Sequence, residues 1–208
     1  MMVLSILNKS NMILNSLKTT IESFFSLHES LESKDEEQKQ NILRAIILFS
    51  CSGVDAVVKQ LINDTLGYVI DRDEGAFNQF KNFTADKIQG KNEINSKLLS
   101  ELFVTENPKE ILIMTLKKEL TQNSLQSAEE LFRVASYFNI ETMKLEQNPR
   151  KLKEIFVARN QITHELDVDM DSKNFSMRHR DIDMVKDYSN HLLQLSEKFI
   201  TLVENIIK

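Results

Sequence analysis

Chain breakers are scarce in this sequence, whose 208 residues include four glycines and two prolines. A strand-rich fold needs many tight turns, and these draw on glycine and proline, so the scarcity argues against a sheet and suits long helices. Tryptophan is absent and cysteine occurs once, as Cys51. One cysteine allows no intrachain disulfide and no multi-cysteine zinc site, which fits a reducing compartment, and a cytoplasmic protein is expected. The N-terminus reaches Asn8, Lys9, Ser10 and Asn11 too soon for the apolar core of a signal peptide. No stretch is expected to reach the roughly 18 apolar residues that a membrane span requires.

The remaining composition is that of an ordinary globular chain, 41% hydrophobic and 27% charged, which excludes wholesale disorder. Its net charge of −5 argues against non-specific coating of nucleic acid but leaves room for a local basic site. Residues 1–208 are expected to form one all-α domain. No repeat and no low-complexity segment interrupts it.

Apolar residues from Leu4 through Leu7, Ile13, Leu14, Leu17, Ile21, Phe24 and Phe25 to Leu31 recur at three and four residues and predict a long first helix. Ser33 and Glu36 have capping-box spacing, so a second helix is predicted from there to about Gly67. Ile42, Leu43, Ile46, Ile47, Phe49, Val54, Val57, Val58, Leu61 and Ile62 cover most of its circumference, as a central helix requires. Its small-sided stretch Ser50-Cys51-Ser52-Gly53 would let another helix approach closely. Shorter helices follow, carrying Phe77, Phe80 and Phe83, then Ile94, Leu98, Leu99 and Leu102, with Gly90 between them. Pro108 is a first-turn proline, and Ser127 with Glu130 repeats the capping-box spacing. Asn148-Pro149 predicts a helix to about Leu166, and a last helix runs from Ile182 to Ile206.

Along the Pro149 helix, Leu152, Ile155, Ile162 and Leu166 leave one gap in their apolar row, and Arg159 fills it. A guanidinium on an apolar stripe demands an anion, either a protein carboxylate such as Asp55 or a phosphate from outside. His164 lies five residues on, about 140° round an ideal helix, so the two side chains diverge unless the helix end or a second copy of the chain brings them together. Asn160, four residues before His164, is placed to orient the imidazole or to touch substrate. Arg150, Lys151 and Lys153 make this helix net positive, and Arg178 and Arg180 follow the next loop, as a phosphate-binding groove would want. A solvated surface face competes with that reading for the first three.

Arg159-Asn160-x-x-x-His164, late in an all-helical chain, resembles the Arg-x(4–6)-His signature of HEPN domains, and the order of long and short helices resembles their architecture over essentially the whole chain. The RiboL-PSP-HEPN branch is the most similar. The resemblance implies a HEPN-like helical bundle and a metal-independent endoribonuclease, needing no cofactor, that acts as a homodimer with both motifs facing one cleft. It further implies a toxin or anti-phage defence effector, with an antitoxin or defence-system protein as partner. Arg159 and His164 would be catalytic with Asn160 in support, and Asp55, in Ser52-Gly53-Val54-Asp55, matches the acidic residue that often accompanies the motif. A subgroup carries a tyrosine two residues after the histidine; Leu166 stands there, so control through that tyrosine is not expected.

Rival readings stand beside these. The runner-up function is a non-catalytic helical dimer that binds a protein or nucleotide. Asp55 and Lys59 are spaced for an ordinary ion pair, and Cys51 reads as core filler. Asp167-x-Asp169-x-Asp171 is similar to the start of a calcium loop, but Ser172 replaces the turn glycine and Arg178 the closing glutamate, so a solvated loop is expected, with one carboxylate free to bond His164 or Arg159. His28, His179 and His191 lack paired metal-ligand spacing and read as surface residues.

Overall fold

A computed structural model describes residues 6–89 and 95–208, and among them the fold is all-α. The expectations at Leu4, Gly90 and Ile94 lie outside the described residues. Helix α1 spans Asn8–Ser30, and a 3-10 turn, Ser33–Asp35, leads into α2, Glu36–Arg72. Helices α3 (Glu74–Gln89), α4 (Ser96–Val104), α5 (Pro108–Thr121), α6 (Ala128–Tyr137) and the one-turn α7 (Thr142–Leu145) follow. The motif helix α8 is Pro149–Glu165, and α9, Ile182–Ile207, closes the bundle.

Local chemistry sets several of these boundaries. Ahead of α2 the Glu32 amide donates to the Asp35 carboxylate at 3.3 Å, so the reciprocal cap sits one residue earlier than Ser33 and Glu36 suggest. Ser127 Oγ accepts from the Glu130 amide at 3.1 Å, as its spacing predicts. Asn107 and Asn148 accept from Glu110 and Lys151 at 3.3 and 3.1 Å, each just ahead of a first-turn proline. Helix α2 runs through Gly67 to Arg72, past its expected end. A helical glycine costs only about 1 kcal/mol, and buried Leu66, Val69 and Ile70 around it offset that penalty.

The 37 residues of α2 form the axis of the molecule, a rod of roughly 55 Å. Helices α1, α9, α8, α3 and α5 all pack on it. Leu43, Ile46, Ile47, Val54, Val57, Val58, Leu61 and Ile62 are buried round its circumference, each contributing about 1.5–3 kcal/mol relative to exposure. At Gly53 α1 comes close, since a Cβ there would stand 2.2 to 2.8 Å from the side chain of Leu17. An 18-residue window of this helix, mean hydropathy 1.6, is long and apolar enough for a bilayer, which corrects the expectation that no stretch would be. The surrounding helices account for that apolarity, as a core helix requires.

Candidate functional site

In α8 the side chains of Leu152, Ile155, Phe156, Ala158 and Ile162 are buried, and α2 lies beneath the helix. Arg159 is half-buried at the edge of that row. Its Nη1 donates to Asn160 Oδ1 at 2.9 Å, and its carbonyl accepts from Thr163 Oγ1 at 2.9 Å. The guanidinium charge is felt at Cys51 of α2, where it favours the thiolate; burial is the stronger influence and pushes the thiol up to about 12.

Most cations near Arg159 in sequence are already partnered. Arg150 pairs with Glu154 at 3.2 Å, Lys151 with Asp187 at 2.6 Å, Lys153 with Glu129 at 2.8 Å and Arg178 with Glu165 at 2.8 Å. Arg180 is buried against Asp167. Five of the six cations expected to favour a phosphate thus lie within 4.0 Å of carboxylates of the same chain, the pairs of Arg150 and Lys153 at the exposed surface. Among the described residues, Arg159 alone of these six has no carboxylate within 4.0 Å. Half-buried and unpaired, it has the strongest call on an external anion.

His164 is exposed in the last turn of α8, and among the described residues its imidazole has no hydrogen-bond partner. The helix is unbroken from Arg159 to His164, so the two side chains point about 140° apart with roughly 7.5 Å of rise between them. The helix end, at Glu165, comes too late to bring them together within one chain. Asn160 bonds Arg159 rather than the imidazole.

Asp55 is corrected as the balancing partner of Arg159. Its Oδ1 accepts from the Leu125 amide at 2.6 Å and its Oδ2 pairs with Lys59 at 3.0 Å, so the carboxylate ties the loop before α6 to α2. Leu166 does not extend the apolar row either. It is 75% exposed and left-handed at φ 51°, the residue on which α8 ends.

No family model, curated protein or solved structure matches this chain.

The feature that sequence reasoning missed is Asp167. Far from lying in a solvated loop or bonding His164 or Arg159, it is fully buried. Arg44 Nε donates to Oδ2 at 2.8 Å, Arg180 Nε to the same oxygen at 3.0 Å, and Arg180 Nη2 to Oδ1. Gln40 brackets the cluster, its amide nitrogen donating to the Arg180 carbonyl at 3.0 Å and its oxygen accepting from the Arg180 amide at 2.7 Å. Gln161 of α8 accepts from Arg180 Nη2 at 3.0 Å. This network fixes the end of the motif helix to the start of α2. A signal was present in the sequence, since Arg44 interrupts the apolar run around Leu43 and Ile46 as Arg159 interrupts its own row. His191 is also corrected from surface residue to paired group, its Nε2 lying 2.7 Å from the buried Glu146 carboxylate.

Proposed function

We propose that this chain is a HEPN-like, metal-independent endoribonuclease of the cytoplasm, acting as a homodimer in toxin or anti-phage defence. The observation that carries the reading is the half-buried Arg159 with no carboxylate within 4.0 Å, about 1.4 helical turns from an exposed His164. A planar fork of donors suits a scissile phosphate, offsetting the charge that grows on its oxygens during displacement. An imidazole suits proton transfer near neutral pH.

The two groups diverge along one regular helix, so the cleft needs two copies of α8 about a two-fold axis. His164 of one protomer takes the proton from a ribose 2′-OH, whose oxygen attacks the adjacent phosphorus. The P–O5′ bond breaks, and the partner's His164 delivers a proton to the leaving oxygen. The products are a 2′,3′-cyclic phosphate and a 5′-hydroxyl, and the nucleophile restricts the substrate to RNA.

Incubating the purified chain with RNA in EDTA tests this directly. Cleavage is expected, with His164→Ala lowering its rate about 10²–10⁴-fold and Arg159→Ala about 10²–10³-fold. Equal inertness of wild type and His164→Ala would defeat the proposal. The divergence of the two side chains within one chain favours, in that event, a silent helical dimer that binds a protein or nucleotide.

A further inference from the structure

The loop that leaves α8 presents large apolar side chains to solvent. Leu166 is 75% exposed, Met170 63%, Phe175 65% and Met177 46%. This is not a slack segment. Val168 and Met177 form an antiparallel bridge, Asp169 donates its amide to the Ser176 carbonyl at 2.8 Å, and the Arg178 amide donates to the Asp167 carbonyl at 2.8 Å. Phe175 is held left-handed at φ 48°, a conformation that disfavours a bulky side chain, with its ring out in water. An ordered backbone that spends strain to expose an aromatic ring and two methionines has the makings of a docking surface.

Its charge identifies the occupant. Residues 165–183 carry six carboxylates against three fixed cations. Two of those cations, Arg178 and Arg180, are consumed by Glu165, Asp169 and Asp167. Asp171, Asp181 and Asp183 remain exposed in the same stretch, against the one exposed cation Lys173. A second copy seated on this loop itself, rather than on α8, would set the same carboxylates against each other. A basic amphipathic segment satisfies both features, placing apolar residues on the methionines and phenylalanine and lysine or arginine on the carboxylates.

We propose that residues 166–178 dock a basic amphipathic helix of a partner protein, and that the docked helix covers His164, two residues before Leu166. The docking stands on the loop alone; the consequence that it silences cleavage rests on the ribonuclease reading.

The probe is a helical peptide of leucine and lysine at amphipathic spacing, beside a leucine–glutamate counterpart. Fluorescence anisotropy is expected to show binding of the lysine peptide only, with amide chemical-shift changes centred on 166–178. Phe175→Asn with Met170→Gln, and separately Asp171→Asn with Asp183→Asn, are each expected to weaken binding about tenfold or more. Asparagine tolerates the left-handed backbone, so the first variant keeps the loop folded, as an unchanged thermal melt will verify. Equal affinity of either variant, shifts centred elsewhere, or a dimer that dissociates on Phe175→Asn would overturn the docking proposal, the last by making a second copy the occupant. Peptide binding to a chain that never cleaves RNA would leave docking intact and remove only the silencing.

Discussion

At the scale of single residues, Cys51 and Leu166 show how surroundings override residue type. Burial holds the Cys51 thiol neutral, so a thiol reagent such as Ellman's is expected to leave the native protein unlabelled at neutral pH and to modify it fully in denaturant. The folded state keeps this proton when the unfolded chain begins to lose it near 9.0, so stability falls as pH rises from there towards about 12. Leu166 illustrates the opposite balance. Its side chain is mostly in water while its backbone is left-handed, and Leu166→Gly is expected to stabilise the protein by about 1 kcal/mol in chemical denaturation, because relief of strain exceeds the little packing lost. A loss of stability in that variant would mean that the exposed leucine is covered in solution.

At the scale of elements, the Arg44–Asp167–Arg180 cluster holds α8, its loop and α2 in register. Asp167→Ala leaves two buried guanidinium groups without their anion and is expected to cost about 3–5 kcal/mol, measured as a shift of the denaturation midpoint. Asp55→Asn, which weakens one loop tether, is expected to cost about 1–2 kcal/mol and to leave any cleavage rate unchanged. The contrast between these two acids is also the measure of what the sequence made legible. Helix periodicity and caps are local, so α1, α6, α8 and α9 could be read directly, and α2 could be recognised as central because apolar residues circle it. Partner choice is not local. Asp55 bonds a residue 70 positions away and Asp167 one 123 positions away, and neither pairing leaves a trace in spacing. Arg159 and His164 were legible as unusual residues; that their neighbours' charges are already neutralised was not.

At the scale of the whole molecule, the proposed cleft requires two chains. If two α8 helices make the site, cleavage per chain is expected to fall steeply once dilution, followed by sedimentation or light scattering, separates the protomers. Mixing wild-type with His164→Ala chains should lower the activity per wild-type chain, since each heterodimer keeps only one of the two His164 imidazoles that the proton transfers need. Rate per chain that stays constant through the monomer range would place both groups in a single subunit and contradict the regular helix between them.

The long reach of Arg44 also sets a timetable for synthesis. Its anion is made 123 residues later, roughly 6–25 seconds at ordinary ribosomal speeds, and α9, which covers another side of α2, later still. Until then the axis of the bundle stands partly unclothed and the end of the motif helix lacks its Asp167 tie to the start of α2. A chain cut short before Asp167 therefore leaves Arg44 without its buried anion and α2 without the cover of α9.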